Sequence, residues 1–258
     1  MRTILVLITL ITMTPLFGFM VIIASLVGVK DREGSIYDNA PRWWAACLVW
    51  AAGIRVRLHN AERMRTGTPN IFVGNHVSWF DVVTLAATLP RYKFVGKAEL
   101  FRVPLFGHAL RAVGMIPIQR DNRKSAFASY RVAAERIRAG ASVVVFPEGT
   151  RGREYALRDF KKGPFVLAIA AGVPIVPTIV HGTIEVLPRD SFTVRSHVVD
   201  IHFLEPIPVD GLTYEDRNRL SRLVRDRMAA AMRELYGVES PPAPASAPAS
   251  AREAAAAD

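Results

Sequence analysis

The feature that most constrains this chain is an apolar stretch near its start. No residue between Thr3 and Val29 is charged. A helix needs about 20 apolar residues to cross the hydrocarbon layer of a bilayer, so this stretch is long enough to do so. Pro15 and Gly18 interrupt it, which leaves a kinked span, a re-entrant hairpin and an interfacial helix open. A cleaved signal peptide is disfavoured, because its apolar region runs for roughly 7–15 residues.

The charge balance points to an anionic partner. The 258 residues include 33 Lys and Arg against 23 Asp and Glu, a formal net charge of +10. A basic body behind an apolar leader favours a protein held at an anionic membrane surface, with nucleic-acid binding as the alternative. Half of the residues are apolar, which excludes disorder of the whole chain. Residues 241–258 are mostly Ala, Pro and Ser and are predicted to be disordered.

The segment after the leader has the composition of an interfacial helix. Its apolar stretch contains three tryptophans and is flanked by arginines. Pro41 is a plausible first helical residue, so we predict a helix over 41–58. A buried core helix would have a similar composition. Cys47 is the single cysteine, which rules out an intramolecular disulfide and a cysteine metal cluster. Its apolar neighbours indicate a packing role.

After Pro69 short apolar runs alternate with helical periodicity, which predicts an α/β fold with a mostly parallel central sheet flanked by helices. The predicted helices cover Asn122–Ala139 and Thr213–Tyr236. The predicted strands are Ile71–Gly74, Lys93–Gly96, Met115–Ile118, Ser142–Phe146, Pro174–His181 and Val194–Leu204.

Several common chemistries lack their motifs. The sequence contains no GxG pair for a dinucleotide and no Walker spacing before its Gly-Lys pair. It also lacks HExxH, CxxC and GxSxG. Nucleotide, zinc and classical serine-hydrolase functions therefore lose most of their support.

The first candidate cluster is NHVSWFD at 75–81, directly after a predicted strand. His76 and Asp81 can meet if His76 lies in the loop and Asp81 lies in the first turn of the next helix, with Ser78 as N-cap. The carboxylate would then fix the imidazole tautomer, and His76 could accept a proton near neutral pH. A plain capping box beside an incidental histidine fits the spacing equally well.

Two further clusters also follow predicted strands. The segment GMIPIQR at 114–120 places Arg120 at the end of a predicted strand, and its guanidinium can bind phosphate through two hydrogen bonds. FPEGTRGR at 146–153 combines glycines with Thr150, Arg151 and Arg153, the composition of an anion cradle. Taken alone, the cluster at 114–120 is more simply interpreted as a solvated charge. The cluster at 146–153 taken alone is more simply a charged surface turn.

Taken together, the clusters resemble the glycerolipid acyltransferase family, specifically the 1-acyl-sn-glycerol-3-phosphate acyltransferases. The resemblance covers about 70–182 and rests on four blocks in order. These are NHxSxxD at 75–81, KAELFRVPLFG…GMIPIQR at 97–120, FPEGTR at 146–151 and VPIVP at 173–177.

The resemblance implies a reaction and roles for named residues. His76 would remove the proton from the sn-2 hydroxyl of the acceptor, oriented by Asp81, and the oxygen would attack the donor thioester without an acyl-enzyme. The product would be phosphatidic acid, and no cofactor or metal is expected. The donor would be acyl-CoA or acyl-carrier protein, with the block at 173–177 lining its side. The residues expected to bind substrate are Arg120, Glu148, Gly149, Thr150 and Arg151, with Lys97 and Lys161 as weaker candidates.

Composition, together with the extent of the resemblance, suggests how the chain is organised. We expect a membrane anchor at 1–30, an amphipathic interfacial helical segment at 31–66, the catalytic domain at 67–240 and a disordered tail at 241–258. Because the acyl donors are cytosolic, we expect the cytoplasmic face of a bacterial inner membrane. Other acceptors remain open, namely glycerol-3-phosphate, another lysophospholipid or lyso-ornithine lipid. A non-catalytic lipid-binding module is the alternative of a different class, while nucleic-acid binding lacks a recognition motif.

Overall fold

The computed structural model describes residues 1–64, 68–119 and 123–242. Short 3₁₀ helices cover Ala61–Met64, Ala98–Arg102 and Tyr214–Asp216. The α-helices are α1 (Arg2–Leu26), α2 (Ile36–Ala52), α3 (Trp79–Thr88), α4 (Phe106–Ala112), α5 (Arg123–Arg138), α6 (Gly163–Ala171), α7 (Thr183–Val186) and α8 (Arg217–Tyr236).

A mostly parallel sheet forms the centre of the described chain. Its seven strands lie in the order β1-β7-β6-β2-β5-β3-β4, and only the β6–β7 pair is antiparallel. The predicted α/β fold is therefore confirmed. The strands are β1 (Arg55–His59), β2 (Ile71–Gly74), β3 (Tyr92–Lys97), β4 (Ile116–Ile118), β5 (Ser142–Val145), β6 (Ile175–His181) and β7 (Val198–Phe203).

Each face of the sheet is covered by a layer of helices. Helices α2 and α3 pack on one face, where Phe72 and Phe203 meet edge to face with ring centroids 5.9 Å apart. Helices α5, α6 and α8 pack on the other face around Ile71, Val145 and Val224. Strands β2, β5 and β6 are buried between the two layers and are almost wholly apolar, as is typical of parallel sheets.

Helix α1 lies along the body of the protein and contacts it near both ends. The Thr3 hydroxyl accepts a hydrogen bond from the Val194 backbone N–H (2.9 Å), and Thr14 accepts one from Trp44 Nε1 (3.0 Å). Near the C-terminal end of α1, Val21 is buried in a small apolar cluster with α2 and α4. By length and composition α1 could cross a membrane, with a mean hydropathy of 2.4 in its most apolar window.

The structure differs from the predicted elements in several places. The helix predicted over 41–58 is α2, which begins at Ile36 and ends before Gly53, a residue with φ of +69°. The next residues form strand β1, so the helical prediction for 31–66 is wrong from Arg55 to His59. Helices α4, α6 and α7 were not predicted, and the strand predicted over Val194–Leu204 is the shorter β7, Val198–Phe203. Residues 243–258, most of the predicted tail, lie outside the described residues.

Candidate active site

The site is built where strand β2 ends and the chain turns into α3. Asn75 is buried at this turn, and its side chain donates to the Val180 carbonyl (2.9 Å) and accepts from the Val180 N–H (2.8 Å). This pair of hydrogen bonds ties the end of β2 to β6. The residue that follows, His76, is therefore presented from a fixed backbone.

His76 and Asp81 meet as the spacing allowed. Ser78 is the N-cap of α3 and Asp81 is its third helical residue, and the two form a capping box. His76 lies in the preceding loop, with Nδ1 2.9 Å from Asp81 Oδ2. The side chain of His76 is 12% exposed, whereas that of Asp81 is fully buried.

Asp81 is surrounded by hydrogen-bond donors. Its Oδ2 accepts the backbone N–H groups of Val77 (2.7 Å) and Ser78 (2.8 Å) as well as the His76 contact. Its Oδ1 accepts the hydroxyl of Thr183, the first residue of α7, at 2.5 Å. Because the carboxylate can only accept, Nδ1 of His76 carries the proton in this pair. The other ring nitrogen, Nε2, then has a free lone pair.

The turn at 146–152 holds the backbone of His76 from both sides. Glu148 Oε1 accepts the His76 N–H (2.9 Å), and the Gly152 N–H donates to the His76 carbonyl (2.7 Å). The ring of Phe146 stacks on the imidazole with centroids 4.3 Å apart. Two sequence blocks some 70 residues apart thus form one unit, which motif spacing alone does not reveal.

Glu148 is buried in this unit, and the pKa of its carboxyl is raised above the usual value. Burial, with a smaller contribution from the nearby Asp81 charge, raises the pKa of the Glu148 carboxyl to about 7. Hydrogen bonds from the His76 and Arg158 backbone N–H groups act in the opposite direction. The sequence predicted Glu148 as a substrate-binding residue, and the structure shows its carboxylate bound to the backbone of His76.

Two of the basic side chains predicted to bind an anion, those of Arg151 and Lys161, lie at this turn. The Arg151 guanidinium lies over the ring of Trp79 at 5.0 Å from its centroid. Burial and the neighbouring Arg189 charge lower the pKa of Arg151. Lys161 crosses above Gly149, so that a Cβ placed on Gly149 would lie 3.3 Å from Lys161 Cε. An anion at this turn would therefore meet two cations and an exposed Thr150.

The remaining predicted basic residues lie away from this turn or outside the described residues. Lys97 lies on the wall of a cavity that also reaches His76, and it pairs with Glu99 at 3.2 Å. Arg153 pairs with Asp190 at 2.9 Å. Arg120 lies outside the described residues. The block at 173–177, expected to line the donor side, instead leads into β6, where Ile175 and Val176 are fully buried in the sheet.

An apolar cavity of about 640 Å³ opens beside His76. Its walls come from α3, β3 and α4 and from the apolar helix α1, which contributes Phe17, Gly18 and Val21. Trp79 and Arg151 also line it, so the cavity connects the imidazole and the basic turn with the interior of the protein. The sequence did not predict this cavity, because its walls are distant in the chain.

A second polar cluster lies on β1 and β7. His59, Asp200 and His202 each offer one possible metal-ligand atom, and these atoms lie within 4.8 Å of one another, as in some metal sites. Both Asp200 oxygens are already engaged, by Arg57 (2.7 and 2.8 Å) and by His59 (2.7 Å), and His202 Nε2 contacts the Tyr236 hydroxyl (2.6 Å). These contacts form a closed hydrogen-bonded network that ties the edge strand to the sheet.

A mostly parallel sheet that presents a His–Asp pair and a glycine-rich basic turn at its strand ends defines a class of transferase. The chain belongs to the acyltransferase family, whose model matches residues 55–181. The predicted family membership is confirmed.

Curated relatives carry a more specific name. The chain is 33% identical over 212 residues to a 1-acyl-sn-glycerol-3-phosphate acyltransferase of Haemophilus influenzae, covering 80% of this chain and 86% of that protein. It is 35% identical to a chloroplastic enzyme of the same name from Brassica napus over 60% of this chain. That match spans 46% of the plant protein, so the chain spans about half the length of this relative.

A solved structure shares the fold. The crystal structure of the 1-acyl-sn-glycerophosphate acyltransferase from Thermotoga maritima matches with a TM-score of 0.77 at 23% identity. The match covers 93% of this chain and 97% of the other. The architecture, including the apolar helix at its start, is therefore that of a known acyltransferase.

Proposed function

We propose that this protein is a 1-acylglycerol-3-phosphate O-acyltransferase. It transfers a fatty acyl group from acyl-CoA or acyl-carrier protein to the sn-2 hydroxyl of 1-acyl-sn-glycerol-3-phosphate and yields phosphatidic acid. The observation that carries the proposal is the buried Asp81 carboxylate 2.9 Å from Nδ1 of His76, in a chain whose relatives bear this enzyme's name. A non-catalytic lipid-binding module would not need a buried carboxylate whose two oxygens both accept hydrogen bonds.

The proposed chemistry uses side chains of this chain and the thioester of the donor. Nε2 of His76 accepts the proton of the hydroxyl as its oxygen bonds to the thioester carbonyl carbon. The carbon–sulfur bond then breaks, and the proton on His76 passes to the leaving sulfur. Asp81 stabilises the imidazolium formed between these two steps. No acyl-enzyme and no cofactor are required.

The two substrates fit different parts of the site. The apolar cavity beside His76 suits a fatty acyl chain, since ligand cavities of roughly 300–1,000 Å³ are usually apolar with a few polar groups at one end. The turn carrying Arg151, with Lys161 above it, suits the phosphate of the acceptor. The thioester carbonyl would then lie between them, next to His76.

Membrane association follows from the same arrangement. One side of α1 exposes large apolar side chains, while its other side lies along the domain near both ends of the helix. A helix held in this way suits insertion into one leaflet rather than a span. Because acyl-CoA and acyl-carrier protein are cytosolic, we place the protein on the cytoplasmic face of a bacterial inner membrane.

The test is an acyl-transfer assay with purified full-length protein and a panel of acceptors. The panel contains lysophosphatidic acid, glycerol-3-phosphate, a zwitterionic lysophospholipid and lyso-ornithine lipid, each with acyl-CoA and acyl-carrier protein donors. We expect the highest kcat/KM with lysophosphatidic acid. The His76→Ala variant should lose roughly 10²- to 10⁴-fold in kcat, the scale typical of a positioned general base.

The control variant is His108→Ala, which removes an exposed histidine on α4 and should retain wild-type turnover. Near-normal turnover of a folded His76→Ala protein would refute the assignment of the base. A preference for another acceptor would replace the proposed substrate and leave the chemistry intact. Inactivity across the whole panel would favour the lipid-binding module.

A further inference from the structure

The most exposed aromatic ring of the described chain lies in the loop 187–197 between α7 and β7. Phe192 is 93% exposed, although the loop that carries it is not loosely attached. Val194, two residues further on, is buried in the main core, and the Arg195 N–H donates to the Val186 carbonyl (2.9 Å). A single exposed phenylalanine is ordinary on a protein surface, so what matters is the surface that adjoins this well-anchored loop.

Hydrogen bonds place this Phe192 loop between two parts of the molecule already described. The Val194 N–H donates to the Thr3 hydroxyl in the first turn of α1 (2.9 Å). On the other side, Arg189 Nη1 donates to the Arg151 carbonyl (2.6 Å). The loop therefore bridges the beginning of the apolar helix and the turn that carries the anion-binding side chains.

The surface of α1 continues the apolar character of the loop. Its exposed residues next to Thr3 recur at helical spacing, which gives one apolar stripe. The stripe begins with Ile4, Leu7, Ile8 and Ile11, each at least half exposed. Arg189 and Arg195, each three residues from Phe192 in the same loop, are exposed and positively charged, and the Asp190 carboxylate beside them pairs with Arg153. An apolar loop tip flanked in sequence by exposed arginines complements the interface of an anionic bilayer.

We propose that the Phe192 loop inserts into the membrane as a second contact beside α1, with an anionic lipid bilayer as its partner. This inference deepens the proposed function, because a bilayer at this place would hold the acceptor lipid. Trp79, half exposed at 49%, and Arg151 would then lie at headgroup level. A lysolipid phosphate could reach the basic turn from the bilayer without leaving the interface.

The direct test measures depth with a tryptophan probe. Full-length Phe192→Trp protein is mixed with vesicles of phosphatidylglycerol and phosphatidylcholine, with and without brominated acyl chains. The quenching of its tryptophan fluorescence by the brominated chains is compared with that of the parent protein, which contains four tryptophans. We expect additional quenching from position 192. Tyr214→Trp is the control, since Tyr214 is 55% exposed and precedes α8 in the opposite helical layer; it should add none.

The second measurement is vesicle binding. Phe192→Ser should lower the affinity for anionic vesicles by roughly tenfold, the scale for losing part of a buried phenylalanine. Tyr214→Ser should leave it unchanged. Arg195→Gln should weaken binding to anionic vesicles and leave binding to neutral vesicles as it was.

Three outcomes would overturn the inference. These are equal quenching in the parent and Phe192→Trp proteins, unchanged vesicle affinity of Phe192→Ser, or a Phe192→Ser defect confined to the KM for acyl-carrier protein. The last would make the loop a docking surface for the donor protein. Because vesicle binding is measured without turnover, these results remain separate from a failure of the proposed acyl transfer.

Discussion

Asp81 combines two roles that the spacing of its motif presented as alternatives. A capping box needs the carboxylate to accept the N-cap N–H, and a His–Asp pair needs it to accept from the imidazole. In the structure Oδ2 accepts from Ser78 and His76 together, at 2.8 and 2.9 Å. The helix start therefore fixes the carboxylate, and the carboxylate fixes the imidazole. A five-residue spacing predicts that both are feasible, but only the geometry shows that they coexist.

Glu148 gives a prediction about pH. Its folded-state pKa is about 7, against a usual value of 4.5. The folded protein thus holds this proton where the unfolded chain has lost it. The stabilisation is fully present below pH 4.5 and is lost as pH rises through about 7. The contribution is on the order of 3 kcal/mol, at about 1.4 kcal/mol per pKa unit.

Glu148→Gln, which cannot ionise, should remove this dependence. The stability of the wild type relative to Glu148→Gln should fall as pH rises from 5 to 8, measured as the difference in Tm. Glu154→Gln, an exposed residue of the same segment, is the control and should show no such trend. A constant difference in Tm between wild type and Glu148→Gln across this range would contradict the shifted pKa.

At the scale of elements, burial decided what the sequence could predict. Strands β2, β5 and β6 are continuous apolar runs, and their predicted bounds agree with the structure to within about a residue. Strand β1 was missed because it is an edge strand whose outer positions carry Arg55 and Arg57. Its strand character comes from pairing with β7, some 140 residues away, and not from its own pattern.

Helix α7 is short, yet it contributes to the geometry of the site. Its first residue, Thr183, is fully buried and donates to Asp81 Oδ1. The residue after it, Leu187, accepts a hydrogen bond from the Ser78 hydroxyl (2.8 Å). These two contacts join α7 to the start of α3 on either side of Asp81. Four helical residues have too little periodicity to be recognised in a sequence.

Thr183 is therefore expected to act as a positioning residue. Thr183→Val keeps the shape of the side chain but removes a hydrogen bond to a charged group, worth about 1.5–3 kcal/mol. We expect kcat to fall by roughly 10- to 100-fold with little change in either KM, because the residue contacts Asp81 and not a substrate. Thr183→Ser, which keeps the hydroxyl, should retain most of the activity. Equal kcat values for the Val and Ser variants would show that the hydroxyl has no such role.

At the scale of the whole molecule, the apolar helix α1 forms part of the wall of the cavity beside His76. Gly18 of α1 packs against α4, so that a Cβ there would lie 3.6 Å from Leu105 and 3.7 Å from Ala109. The cavity wall thus joins residues almost 90 positions apart in the chain. Hydropathy predicted that α1 is apolar, but the contacts that turn it into a cavity wall depend on the complete fold.

Because α1 shares this wall, we expect it to influence acyl-chain preference if the cavity holds the acyl chain as proposed. Gly18→Leu has room for its Cβ, and the remaining carbons would extend into the cavity. Overpacking of an apolar site costs about 1–3 kcal/mol, so the ratio of kcat/KM for long-chain over medium-chain acyl-CoA should fall by roughly tenfold. Phe19→Leu, on the exposed side of the same helix, should leave the ratio unchanged while conserving apolar character. If both variants kept the wild-type ratio, the acyl chain would have to lie outside this cavity, and α1 would serve only to hold the protein at the membrane.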